Sequence, residues 1–475
     1  MKSRNKATLS LLLAIAMCTV LSLSSVHRSI AATSYVLSPI DPAVGATCAS
    51  LGGSWDGLKT CTLGSNLTLD SGDSILVDPG AVLATRSGVT VTNNGAIQDY
   101  GTITNNAGGF VSNSGTITAF IANGTIVNDG SMTNNPGGSI VINHPQQTSP
   151  RVGTFNFINS GIFSNQGVIV NFGNLTNDAN ASITNSGSFS LESATINTGS
   201  FSAPLTLNAG NLTNVVGGTI TENGATINNT GSITNVGTIA EEPDVFSKIN
   251  NLGTITSNGT ISNVGFLVNL GTVINSGTIN NLVGCTTTSC GTIANSGLFI
   301  NKPGGTINNQ GNFGNFNGNL RRPQLGTLTN EGTFVNNEVF TNALGGTTAN
   351  SGTMNNTGSF TNLSSISNSG SITNSGIVIN SDYISNNATG SITNTRTITN
   401  SGNIANSGAI TNACGGVIYG PGTITGNPVT STTSCTTTTT STPVPEFPTE
   451  MLVPVMLSVL IFVTLLTKKD LRHAP

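Results

Sequence analysis

The chain has 475 residues, of which 58 are Gly and only 7% are charged, against roughly 25% charged in ordinary soluble domains. Hydrophobic residues make up 36%, aromatic residues 5%, and the net charge is -4. No basic stripe marks a nucleic-acid partner, and a charge-rich disordered chain is excluded.

Lys2, Arg4 and Lys6 precede an apolar run from Leu9 to Leu23, and Ser29-Ile30-Ala31 offers small residues for cleavage. Residues 1–31 therefore read as a secretory signal peptide. Cys18 follows Met17, where a lipid-anchored Cys would follow a small residue, so it belongs to the signal peptide.

Six cysteines remain, in three neighbouring couples: Cys48 with Cys61, Cys285 with Cys290, and Cys414 with Cys435. An even count in an exported chain points to disulfides. Proximity favours local pairing, although six cysteines admit fifteen arrangements. Residues 32–92 read as a disulfide-stapled N-terminal cap. No Cys-x-x-Cys occurs, and His144 is the one His between the signal peptide and the tail. A metal site has no ligand set, and no cofactor is expected.

Residues 93–427 return to one phrase, Gly-Thr-Ile-Thr-Asn-Ser, with variants. Steps of six residues, with an occasional eight, lead from Gly326 to Gly408 and average about 6.3, so three make about 19. In Thr102-Ile103-Thr104-Asn105 the apolar residue alternates with Thr, which is strand periodicity in β-branched residues. The same alternation recurs at Thr254-Ile255-Thr256, Ser371-Ile372-Thr373 and Thr397-Ile398-Thr399. Asn and Gly read as corner residues, because both tolerate left-handed backbone angles. A six-residue unit cannot bury its one Ile alone, but stacked coils can. The expected fold is all-β: one long parallel β-helix with three short strands per coil.

The repeat breaks at His144–Arg151, at Glu241-Glu242-Pro243-Asp244 as far as Lys248, at Gly284–Gly291 around Cys285 and Cys290, and at Arg321-Arg322-Pro323. Such insertions emerge as loops at solenoid corners and are candidates for contact with a glycan or envelope partner. Glu241, Glu242 and Asp244 read as solvated loop acids. No Ser-His-Asp set or carboxylate cluster assembles, so the chain is not expected to be an enzyme. Asn66, Asn123, Asn174, Asn211, Asn258 and Asn387 stand in Asn-x-Ser/Thr sequences and are candidate glycosylation sites. Outward Thr pairs would form flat ranks ~7 Å apart along the strand and ~4.8 Å between coils. Those ranks resemble the ones on ice-binding solenoids.

Residues 428–449 form a Thr/Ser/Pro-rich stalk ending in Pro445-Glu446-Phe447-Pro448. In residues 450–475 an apolar segment, Met451 to Thr467, is closed by Lys468, Lys469 and Arg472. Its 17 residues are just long enough for a transmembrane helix. The basic end belongs inside, which leaves the N-terminal bulk outside.

The order of a Pro-Glu-Phe-Pro motif, a short membrane helix and a basic end resembles the PEF-CTERM sorting tail of archaeal surface proteins. The resemblance covers about the last 30 residues. It implies an archaeosortase-like processing enzyme as a partner, acting near Pro445–Pro448, and transfer to a surface anchor; the alternative is a plain single-pass anchor. The eight-residue steps and corner Asn residues resemble filamentous-adhesin rods, in which Asn side chains stack as amide ladders. That likeness implies right-handed winding, where strict hexapeptides would favour the left-handed form. The expected function is a non-enzymatic, structural or adhesin-like rod anchored at the cell surface. Carbohydrate binding or processing, and ice or crystal-surface binding through the Thr ranks, are the alternatives.

Overall fold

The computed structural model describes residues 32–119, 124–142, 156–192, 205–241, 247–283, 291–316 and 326–432. These residues form a parallel β-solenoid of about 16 turns with one short helix. Successive strands go in rotation to three sheets of 18, 17 and 18 strands. We call the faces first, second and third by the strands Ala96–Asp99, Thr102–Asn105 and Phe110–Asn113 of one coil.

Most strands are four residues long, with the second and fourth positions buried and the first and third facing out. The pairing is in register, so each residue lies on its equivalent one coil below. On the first face Ile372 pairs with Met354 and Ile392, which pairs with Ile410. No strand has a hydrophobic face large enough to be stable alone. The second-position columns of the three faces meet in the middle, and that meeting is the core. Around Phe299, Phe313, Phe334, Phe340 and Phe360 the core becomes aromatic, with ring centroids 4.8–5.7 Å apart and mostly edge-to-face.

Two kinds of corner join the strands. Eight-residue steps contain a four-residue turn, such as Asn135-Pro136-Gly137-Gly138, where the Gly138 N–H donates to the Asn135 carbonyl at 2.9 Å. Pro at the second position and Gly137 at φ +85° at the third meet the demands of a type II turn. Six-residue steps are different. Among the described residues, no Gly opening such a step between two four-residue strands has positive φ save Gly291, after an insertion, and Gly420 and Gly422 close the last coil. There Gly is needed because backbone lies on backbone. A Cβ on Gly277 would sit 2.1 Å from the Gly259 carbonyl oxygen one coil below. The expectation that corner Gly and Asn serve left-handed angles holds for Gly in most of the longer turns and for no described Asn. For the common corner, the reason is close approach.

The stack begins inside the expected cap, where Ser34–Leu37 pairs in parallel with Ser74–Val77. A helix, Val44–Ser50, packs on that first coil with Val44 and Cys48 inward. One antiparallel pair, Gly53–Trp55 with Thr60–Leu63, completes the end. At the other end, parallel pairing continues through Val429–Thr432, inside the stretch expected as stalk. No helix among the described residues is long and apolar enough to cross a membrane. The signal peptide and Met451–Thr467 lie outside the described residues.

The close-approach rule is testable at Gly277. Gly277→Ala should destabilise its neighbourhood by about 1–3 kcal/mol, the usual cost of overpacking. The loss should appear as faster amide exchange in Thr260–Asn263 and Thr278–Asn281. Unchanged exchange there would show that the corner has room for a side chain.

Candidate functional site

The fourth strand position, buried at the corner, is where this solenoid departs from a purely apolar interior. On the second face that position is Asn in every described coil from Asn105 to Asn400. Each Asn Nδ2 donates to the Oδ1 of the Asn in the next coil, at 2.7–2.9 Å. The second Nδ2 hydrogen reaches a backbone carbonyl of that coil, as from Asn251 to Thr272 at 2.9 Å. Asn suits this position because its amide is both donor and acceptor. A column of identical residues can therefore satisfy itself, and every buried polar group needs such satisfaction.

The third face has a similar column from Asn93 to Asn235 and again from Asn275 to Asn406. Between them stands Ser257. It accepts from Asn235 at 3.2 Å, but its hydroxyl donates to the Gly259 carbonyl. Asn275 Oδ1 is left buried without a donor.

The first face is the irregular one. Its fourth-position column runs Val77, Asp99, Ala119, Ile142, Asn171, Leu191, Glu222 and Glu241. Only from Asn263 to Asn412 does it become a continuous amide ladder. This is the corner between the first and second faces. The chain lengthens there after Ala119, Ile142, Glu192, Glu241 and Val283, where the described residues stop and then resume in register. A ladder Asn also donates to its own corner, as Asn171 does to the Gly173 carbonyl at 3.1 Å and, across an eight-residue step, Asn134 to the Gly138 carbonyl at 3.3 Å. Four of these five departures have a different residue in the column, and Asn281 is the exception.

Three acids occupy this column. Asp99 is buried; its Oδ1 accepts from the Gly101 N–H at 3.0 Å, and its Oδ2 has no partner. Burial pushes its carboxyl up to about 8, against the pull of its backbone donors. Glu222 and Glu241 are register partners on adjacent coils, both buried. Burial raises both carboxyls, and for Glu222 the charge of Glu241 raises it further. The expectation that Glu241 is a solvated loop acid is therefore corrected: it ends the strand Thr238–Glu241 and points inside. Glu242 and Asp244 lie outside the described residues.

The outward positions carry the hydroxyl ranks. On the first face Thr219, Thr238, Thr260, Thr278, Thr306, Thr333, Thr353, Ser371 and Ser391 follow one another without a gap. The second and third faces are interrupted by apolar residues, among them Ile162, Leu207, Leu298 and Ile377.

Cys48 and Cys61 are joined by a disulfide, and Cys414 is disulfide-bonded at φ 55°. Cys285, Cys290 and Cys435 lie outside the described residues, as do Asn123, Pro445–Pro448, Lys468, Lys469 and Arg472. Of the candidate glycosylation sites, Asn66, Asn211 and Asn258 are exposed, whereas Asn174 and Asn387 are half-buried. Asn387 Nδ2 is held by the hydroxyls of Ser367 and Ser369 at 3.1 Å each. Among the described residues no group of three or more His, Cys, Asp or Glu could hold a metal ion. No family model matches the chain, and no curated protein matches it either.

The break at Ser257 generates a direct test of the amide columns. Ser257→Asn should join the two ladders, give Asn275 Oδ1 its donor and raise stability by about 1 kcal/mol, the net worth of a buried hydrogen bond. A lower stability in chemical denaturation would mean that the column does not need a self-complementary amide.

Proposed function

We propose that the chain is a non-enzymatic rod of the cell surface, exported by residues 1–31 and held to the envelope by residues 450–475. The observation that carries this reading is the construction of the solenoid. About 16 turns at ~4.8 Å per coil give a shaft near 80 Å long, and buried amide columns run along its corners. Contacts run between neighbouring coils, so such a shaft resists bending along its whole length rather than at one hinge. The Asn ladders and eight-residue turns also support right-handed winding.

The lengthened corner gives the rod an edge from which extra sequence departs at five points along its length. Ligand contact with a glycan or another envelope component is best sought along that edge. Glu241 is removed from any catalytic role at the surface, because it is buried and its Oε2 accepts from the backbone N–H groups of Val264 and Gly265.

A second reading has one specific observation in its favour, the unbroken Thr/Ser rank of the first face. Its hydroxyls repeat at ~4.8 Å from coil to coil, although Ala240, Asn280, Asn308, Val335 and Asn355 stand where the paired second rank was expected. Thermal hysteresis that is abolished by Thr306→Tyr would favour this reading.

The surface assignment is tested by fractionating cells and sequencing the mature termini by mass spectrometry. The expected product begins at Ala32 or within a few residues of it, is removed by protease from intact cells, and lacks the segment after Pro448. A product that keeps residue 475 in the surface pool would replace sorting with a simple membrane anchor. A cytosolic product that keeps residues 1–31 would refute export.

A further inference from the structure

The first-face column contains a stretch in which acceptor faces acceptor. Glu222 Oε1 and Oε2, Glu241 Oε1 and Asn263 Oδ1 are all buried, and none has a hydrogen-bond partner. They occupy consecutive coils, Glu222 paired with Glu241 and Glu241 lying one step below Asn263 at the foot of the ladder that leads to Asn412. Elsewhere in the columns the lower residue donates to the upper one, as Asn263 does to Asn281 at 2.6 Å. Two ionised carboxylates have nothing to donate. Four orphaned acceptors in a buried column are unfavourable, and two like charges a coil apart would add repulsion.

We propose that Glu222 and Glu241 are carried as neutral acids that continue the amide ladder downward by two coils, and that loss of their protons loosens the rod at the strands Thr219–Asn223, Thr238–Glu241 and Thr260–Asn263. The Glu222 hydroxyl hydrogen is donated to Glu241 Oε1, and the hydroxyl hydrogen on Glu241 Oε1 is donated to Asn263 Oδ1. Glu241 Oε2 keeps its two backbone donors, Val264 and Gly265. This assignment leaves one oxygen of Glu222 unpaired, where the ionised pair leaves four acceptors. Beside them, Ser247 Oγ is already committed, donating to the Glu222 carbonyl at 3.1 Å and accepting from Gly224 N–H at 3.0 Å.

The charged environment is sparse. Leu191 lies under Glu222 and Asn263 lies over Glu241. Among the described side chains of the strands packed around the pair, the other ionisable one is Lys248, which faces outward on the second face. The side chains of Glu192, Glu242 and Asp244 lie outside the described residues. A bound cation is the competing way to satisfy four acceptors. Ca²⁺ requires six to eight oxygen ligands, more than the column offers.

The direction of the pH effect follows from linkage. Both carboxyls are raised in the folded state by burial, so the folded coil holds protons that the opened chain releases above its ordinary Glu range, about 4.3. The stability that depends on those protons is greatest in acid and is lost as pH rises through the raised values. The rod therefore has a latch at mid-length that is closed in acid and loosened toward alkaline pH.

The test is hydrogen exchange on the full chain as a function of pH, corrected for intrinsic rates. Protection in Thr219–Asn223, Thr238–Glu241 and Thr260–Asn263 should fall by up to about tenfold per pH unit for each carboxyl above about pH 5, while Ser365–Asn368 and Ser371–Asn374 stay constant. E222Q/E241Q should remove that dependence. Infrared spectra provide a second readout: a protonated carboxyl band should persist near neutral pH, and the part of it due to the pair should be missing from E222Q/E241Q, which keeps the raised carboxyl of Asp99. Protection that is flat with pH in these strands, or carboxylate bands alone at pH 6, would overturn the proposal. Recovery of protection at alkaline pH by Na⁺, K⁺ or Ca²⁺ would also overturn it, by assigning the acceptors to a cation.

Discussion

In a stacked solenoid every side chain has its own equivalent as its nearest neighbour, one coil above and one below, at ~4.8 Å. A residue type is admitted to a column only if it tolerates a copy of itself at that distance. Ile does so by packing, Thr and Ser by hydrogen bonding or solvation, Gly by having no side chain, and Asn by offering a donor and an acceptor on one amide. Charged residues do not, because like charges repel at that spacing. The 7% charged content is thus a consequence of the architecture, and it is matched by the rule at the corners, where Gly277 lies against the Gly259 carbonyl with no room for a Cβ.

The same constraint explains where the rod is irregular. The amide columns run past both regular kinds of corner, the Asn Nδ2 reaching a carbonyl two residues ahead at six-residue steps and four ahead at eight-residue ones as well as the next coil. At the corner between the first and second faces the chain lengthens repeatedly, and there the column contains Ala119, Ile142, Leu191 and Glu241 in place of Asn. The edge that carries the extra sequence is therefore the edge with the weakest ladder. Decoration and local stability are coupled through one residue position, and Glu222 with Glu241 adds ionisation to that coupling.

Much of this was legible in the sequence, and the reason is the period. Strands, the three-strand coil, the inward Ile and the Cys48–Cys61 pair all follow from repetition and proximity. What was missed depends on register. Glu241 beside Glu242 and Asp244 reads as part of an acidic loop, yet counting from Ile239 puts Glu241 at the buried fourth position, where Asn stands in other units. Asp99 and Glu222 carry the same signal two residues after Ile97 and Ile220. The reason for the common corner Gly was also misjudged, because close approach to the previous coil cannot be seen in one unit. That five of the six insertions share a corner, while residues 317–325 fall between the second and third faces, needs the assignment of each strand to its face.

The central claim is that self-complementary amide columns hold the coils in register. Side-chain amide exchange, followed by nuclear magnetic resonance on the folded protein, tests it most directly. The account predicts that the Nδ2 hydrogens of Asn251, Asn301 and Asn374 exchange as slowly as the backbone amides of their strands, while those of exposed Asn211 and Asn258 exchange at the rate of free side chains. Ladder amides that exchange as fast as the exposed ones would contradict it, and would leave apolar packing alone to hold the rod together.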